Sequence, residues 1–259
     1  MVQAVLSLGP YIRCVGLAIF LLMSVHQVAL YSRVGTTGAL GFCGGSLVHP
    51  GWVLTAAHCC FHDGVEVNHV QAILGAHSLY DRYENGRRIV NVGEIVVHPG
   101  FEPSTFDNDL ALMRLANTMQ FTETIDTVRL PYLNITLNNF AGQGATVSGW
   151  GIAAQGVTFV SPTLRQKLMT VITDPFCNVT YFNQLPQNAM CAFYGTAGTC
   201  KGDNGGPMTI FHNATQEHLL IGVASFVSAN GCNDDMPSVF TRVQRYLDWI
   251  SEVTGIQLE

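Results

Sequence analysis

Short apolar runs flanked by turn residues recur along this chain, as at Gln27–Tyr31 and Trp52–Leu54. With 26 Gly and 10 Pro punctuating them, these runs predict strands joined by turns, and so an all-β chain. A length of 259 residues sets the scale at about one large or two small domains. Hydrophobic residues make up 48% and charged residues 12%, enough for a sizeable core. The net charge of -6, with Lys and Arg together only 12, argues against a nucleic-acid or heparin surface and reads as ordinary solubility. His62, His69 and His77 are scattered rather than clustered and read as surface residues, not zinc ligands. No metal and no cofactor are expected.

Eight cysteines are many for a cytosolic chain of this size. Three Asn-x-Ser/Thr sequons, at Asn134, Asn178 and Asn213, are candidate glycosylation sites. Together they favour an oxidising, secretory route to an extracellular protein. The start of the chain agrees. Arg13 precedes an apolar run from Cys14 to Val25, so residues 1–25 read as a signal-like or signal-anchor segment. The run continues almost unbroken to Tyr31, which borders on a membrane span. A membrane contact is expected only if residues 14–31 act as an uncleaved anchor. The better reading of Gln27–Tyr31 is a first strand. No clean small-x-small cleavage site is visible.

Four strings carry the chemistry: Thr55-Ala56-Ala57-His58-Cys59, Asp107-Asn108-Asp109-Leu110-Ala111-Leu112, Ser148-Gly149-Trp150-Gly151, and Gly198-Thr-Cys-Lys-Gly-Asp-Asn-Gly-Gly-Pro-Met208. In this order they resemble the chymotrypsin-like serine proteases (peptidase family S1), whose triad runs His, Asp, Ser along the chain, unlike subtilisin or the α/β-hydrolases. The resemblance covers about residues 26–254. It implies two six-stranded antiparallel β-barrels and a C-terminal helix. The first barrel is expected over about 26–127, the second over about 128–242, and the helix over about 243–254. Val243, Tyr246, Leu247, Ile250 and Val253 give that helix one apolar face.

The resemblance also implies roles for residues. His58 and Asp109 take the places of catalytic base and orienting carboxylate, with Asp107 an exposed loop acid. Gly202 and Asn204 would supply the N–H groups of an oxyanion hole. Gly198 would form the floor of the specificity pocket, Val227 and Ser238 its walls, and Ser225 would lie on the substrate-binding strand. A floor without a charge speaks against a trypsin-like preference for Lys or Arg. The pocket is expected to be small and apolar, nearer an elastase-like site, and is also similar to the brachyurin branch. The implied disulfides are Cys43–Cys59, Cys177–Cys191 and Cys200–Cys232, leaving Cys60 odd: a buried free thiol, the favoured reading, or a competitor for Cys43, or an intermolecular link. Active family members bury a freed Ile-Val-Gly-Gly-type N-terminus against the aspartate before the nucleophile, here Asp203. No such segment is found, and Arg33-Val34-Gly35 is too close to Cys43 to serve.

One position departs from the family. The pattern Gly-Asp-Ser-Gly-Gly-Pro here reads Gly-Asp-Asn-Gly-Gly-Pro, with Asn204 in place of the nucleophile. A serine oxygen helped by a base attacks a carbonyl carbon. The nitrogen lone pair of a carboxamide is delocalised into its own carbonyl and is no substitute. The expected function is that of a secreted, inactive homologue whose partners are proteases, protease inhibitors or substrates. The first alternative is an active endopeptidase with a small apolar pocket whose sequence is here variant or incomplete. The second is an antimicrobial or glycan-binding homologue, against which the acidic balance speaks.

Overall fold

A computed structural model describes residues 25–35, 38–132, 139–153, 157–195, 198–227 and 235–258. Its strands close into two antiparallel barrels. The first is built from β1 (Gln27–Val34), β2 (Ala39–His49), β3 (Trp52–Thr55), β6 (His69–Leu74), β7 (Arg88–Val97) and β8 (Ala111–Leu115). A short hairpin, β4 (Phe61–His62) and β5 (Val65–Glu66), stands outside it. The second barrel comprises β9 (Gly144–Gly149), β10 (Arg165–Val171), β11 (Ala189–Phe193), β12 (Pro207–His212), β13 (Glu217–Phe226) and β14 (Ser238–Arg242). The expected fold of two six-stranded antiparallel barrels with a short C-terminal helix is therefore the one adopted.

Closure follows from β1, which pairs with β2 on one edge and β6 on the other, leaving no free edge. Gln27–Tyr31 are barrel strand, as expected, with their backbone committed to two ladders. Residues 1–24 lie outside the described residues. No helix among the described residues is long and apolar enough to cross a membrane.

Each barrel has its own core, around Leu30, Leu47 and Met113 in the first and Phe140, Met208 and Phe240 in the second. A third cluster joins them. Leu54, Leu112 and Val223 pack with Val243, Tyr246 and Ile250 of the C-terminal segment. That segment is not one helix over 243–254. Val243–Arg245 form a 3-10 turn, Tyr246 breaks it with φ -125°, and α2 spans Leu247–Thr254 to a left-handed cap at Gly255. The earlier helix, α1, is Asp174–Thr180. The connection between barrels bonds to both, through Val128 N–H to the Leu47 carbonyl and Leu220 N–H to the Arg129 carbonyl.

The barrels meet where β2 passes the Asn204 loop. Gly44 N–H donates to the Asn204 carbonyl at 2.7 Å. A Cβ on Gly44 would stand 2.8 Å from Gly206 Cα and 2.9 Å from its nitrogen, and backbone cannot move aside as a side chain can. Gly44→Ala is therefore expected to cost about 3 kcal/mol and lower the melting temperature by several degrees. Gly51→Ala, whose Cβ would meet nothing nearer than 3.5 Å, is the control and should melt near the wild type. Equal melting of the two variants would contradict this packing.

Candidate functional site

His58 sits in the 3-10 turn Ala57–Cys60 just after β3, and Asp109 just before β8. The antiparallel pairing of β3 and β8 brings these two ends together. His58 N–H donates to Asp109 Oδ1 at 2.9 Å, and His58 Nδ1 lies 2.8 Å from Asp109 Oδ2. A carboxylate only accepts, so this contact fixes the tautomer with the proton on Nδ1 and leaves Nε2 facing outward. The second barrel completes the site. Ser225 Oγ donates to Asp109 Oδ2 at 2.6 Å, and Thr241 Oγ1 to the Asp109 carbonyl at 3.1 Å. Asp109 is wholly buried while the His58 side chain stays 20% exposed. The buried carboxylate has donors from both barrels, as a buried charge requires.

The Asn204 loop is positioned by its backbone. The Asn204 carbonyl accepts from Gly44, and Gly205 N–H donates to the Ala224 carbonyl at 2.7 Å. Gly205 has φ +78°, and a Cβ there would meet Thr55 Oγ1 at 2.1 Å, so only glycine lets the loop approach the segment leading into His58. No hydrogen bond joins the Asn204 carboxamide to His58. The N–H groups of Gly202 and Asn204, expected to face an oxyanion, donate to no acceptor among the described residues.

Of the pocket residues, Gly198 packs against Ser238, whose Oγ accepts from Thr199 N–H at 3.0 Å. The Ser225 hydroxyl donates to Asp109. Val227 is half-buried, and residues 228–234, which include the next stretch of wall, lie outside the described residues. Disulfides join Cys43 to Cys59 and Cys177 to Cys191. Cys200 is disulfide-bonded, and Cys232, its expected partner, lies outside the described residues. Cys60 is a buried free thiol, pushed by that burial up to about 12 and so inert at neutral pH. Cys43, His58 and Cys59 lie close enough to share an ion, but both sulfurs are in a disulfide and offer no thiolate. Asn178 is on α1, Asn213 is in the turn between β12 and β13, and Asn134 lies outside the described residues.

Several residues of the site escaped the sequence reading. Phe106 packs edge-on against His58 at 5.5 Å and tilts against Phe226 at 5.6 Å, and Tyr181 closes on Phe226 at 5.9 Å. These three rings wall one side of the approach to His58. Asp107 is not merely an exposed loop acid. It is half-buried, and its Oδ1 accepts from Gln187 N–H at 3.0 Å, tying the Phe106 loop to the second barrel.

Asp203 is half-buried. Its carboxylate accepts from Gly151 N–H at 2.7 Å and Cys200 N–H at 2.9 Å. Among the described residues no Lys, Arg or His side chain pairs with it. Loss of water outweighs the two hydrogen bonds and pushes its pKa up to about 6. A cavity of about 570 Å³ opens beside it, lined by Val25, Gly149, Gly151, Gln166, Gly198 and Thr199 among others. Between about pH 4 and 6 the folded state binds the Asp203 proton more tightly than the unfolded one. Stability from this group is therefore present at low pH and lost as pH rises through that window. The Asp203 carboxyl carbon, assigned by its disappearance in Asp203→Asn, is expected to titrate in NMR with a midpoint near 6. A midpoint near the ordinary 3.8 would show that a cation reaches it.

Comparison with known proteins adds three findings. The family model described as Trypsin matches residues 23–250. Brachyurin of Leptuca pugilator is 35% identical over 231 residues, 89% of this chain and 93% of that protein, and a collagenase of Hypoderma lineatum is 36% identical over 217, 83% and 77%. The 1.7 Å structure of HL collagenase superposes with a TM-score of 0.78 at 33% identity, covering 90% of this chain and 95% of that one.

Proposed function

Because this chain belongs to the trypsin family of chymotrypsin-like serine proteases, we propose that it is a secreted homologue working by protein binding rather than by cleavage. The observation that carries this reading is Asn204. It stands in the Gly-Asp-x-Gly-Gly-Pro loop, on backbone that reaches to the segment before His58, where the family has its serine. His58 keeps its carboxylate and a tautomer with Nε2 free to take a proton. The residue beside it has no proton whose loss would make a nucleophile at neutral pH. Loss of the nucleophile in a related triad enzyme lowers turnover about a millionfold. The N–H groups of Gly202 and Asn204 still offer electrostatic help to an oxyanion, but that help acts on an attack that lacks its attacking atom.

The groove is largely independent of the missing hydroxyl. Gly198 and Ser238 pack together through backbone and a serine side chain, and Phe106, Phe226 and Tyr181 hold one another. A substrate-like loop would dock by main-chain pairing with one small apolar side chain in the pocket. The extracellular assignment rests on the disulfides, which need an oxidising compartment, and on the family.

A second reading, an active endopeptidase in which Asn204 is a variant, is favoured by the intact support of His58 by Asp109 and Ser225. Hydrolysis of peptides with small apolar side chains decides between them. The purified protein is expected to show no turnover above buffer, and Asn204→Ser alone little recovery, because Asp203 lacks a cationic partner among the described residues. Turnover by the unaltered protein would overturn the binding reading. Full activity in Asn204→Ser would show that the uncompensated Asp203 is no second obstacle.

A further inference from the structure

Helix α1 is held to the second barrel from its inner side. Cys177 is bonded to Cys191 of β11, and Asp174 pairs with Arg242 of β14. Tyr181, just past the helix, also turns inward, onto Phe226 and the Pro237 carbonyl. The outer side is different. Phe176, Val179 and Phe182 are 62%, 69% and 81% exposed. Single exposed apolar side chains are ordinary, but three of them on two turns of chain make a patch that calls for a cover.

The sequence at this patch names one. Asn178-Val179-Thr180 is a glycosylation triplet lying between the exposed residues. Successive helical positions are about 100° apart. With Cys177 turned inward, Val179 therefore points outward, and Asn178 and Phe176 flank it on either side. The Asn178 carboxamide makes no hydrogen bond among the described residues, so its nitrogen is uncommitted, while its backbone carbonyl accepts from Asn183 and holds the chain of Phe182 beside it. We propose that Asn178 carries an N-linked glycan whose sugar rings lie over Val179 and the two phenylalanines. Carbohydrate suits this surface, because the C–H faces of a sugar ring cover apolar and aromatic groups while its hydroxyls stay in water, making the patch soluble. The inward turn of Tyr181 leaves that glycan at the rim of the groove rather than in it.

This inference rests on the secretory route proposed above, and the test separates the two. The full chain is expressed in a eukaryotic secretory host, and peptides spanning Asn178 and Asn213 are weighed with and without glycosidase. The native protein is then compared before and after enzymatic deglycosylation for binding of the dye anilinonaphthalene sulfonate and for size on gel filtration. The expected result is an occupied Asn178, with removal of the glycan giving a rise and blue shift in dye emission and a shift toward larger species. Thr180→Ala should reproduce that change, and Thr180→Ser, which keeps the triplet, should not. Secreted protein with Asn213 occupied but Asn178 bare would overturn the glycan while leaving the secretory route standing. An occupied Asn178 whose deglycosylation leaves dye binding and size unchanged would overturn the cover. Protein retained inside the cell and bare at both sites would overturn the secretory route and this inference with it.

Discussion

The buried carboxylate of Asp109 is the interaction on which the rest of this molecule depends. It sits where the two barrels meet, and both supply its hydrogen-bond donors. The first barrel supplies the backbone N–H and Nδ1 of His58 to the carboxylate, and the second the hydroxyl of Ser225, while Thr241 donates to the Asp109 main-chain carbonyl. Leaving a buried acceptor unmatched costs more than a typical hydrogen bond gives, so these donors lock the relative placement of the barrels as well as the imidazole. The apolar packing of Leu54, Leu112 and Val223 beneath it supplies the attraction, and Asp109 supplies the direction. A site built to aim a base therefore survives as part of the fold's own architecture, whatever stands at position 204.

That coupling explains how catalysis and binding come apart in such a fold. The groups that shape the groove are glycines, disulfide-tethered loops and rings that contact one another. The group that performs attack is one side-chain atom. On the proposed reading, asparagine in place of serine lacks that atom, while the Gly44–Asn204 and Gly205–Ala224 backbone hydrogen bonds that place the loop do not depend on the side chain. Asp203 belongs to neither category cleanly. It is a half-buried carboxylate beside an open cavity, its pKa raised by desolvation.

Much of this was legible in the sequence because the chemistry-bearing residues lie inside compact strings. His58 and Asp109 could be picked out from their neighbours, the turn-flanked apolar runs gave an all-β chain, and the family resemblance implied the two barrels. What the strings could not show is contact between residues far apart in the chain. Ser225 reads as one serine in a strand, and only folding brings its hydroxyl to Asp109, 116 residues away. Phe106 was missed for a different reason. Its φ of +60° is uncommon for a bulky residue, so no local preference announces a ring turned toward His58. The expected single helix over 243–254 failed at Tyr246. Apolar spacing cannot distinguish a 3-10 turn followed by a helix from one continuous helix when the same face is buried in both.

The most direct measurement pairs two kinds of inhibitor on the purified protein. Inhibitors that dock a rigid loop reversibly ask only for the groove, whereas serpins trap proteases as a covalent acyl-enzyme and need the nucleophile. Calorimetry with the first and denaturing gels with the second separate groove from chemistry in one preparation. The account predicts reversible binding, weakened by whatever fraction of molecules lacks an ordered pocket, and no covalent serpin band. A covalent band would show that position 204 does carry out acyl transfer, and would contradict the account.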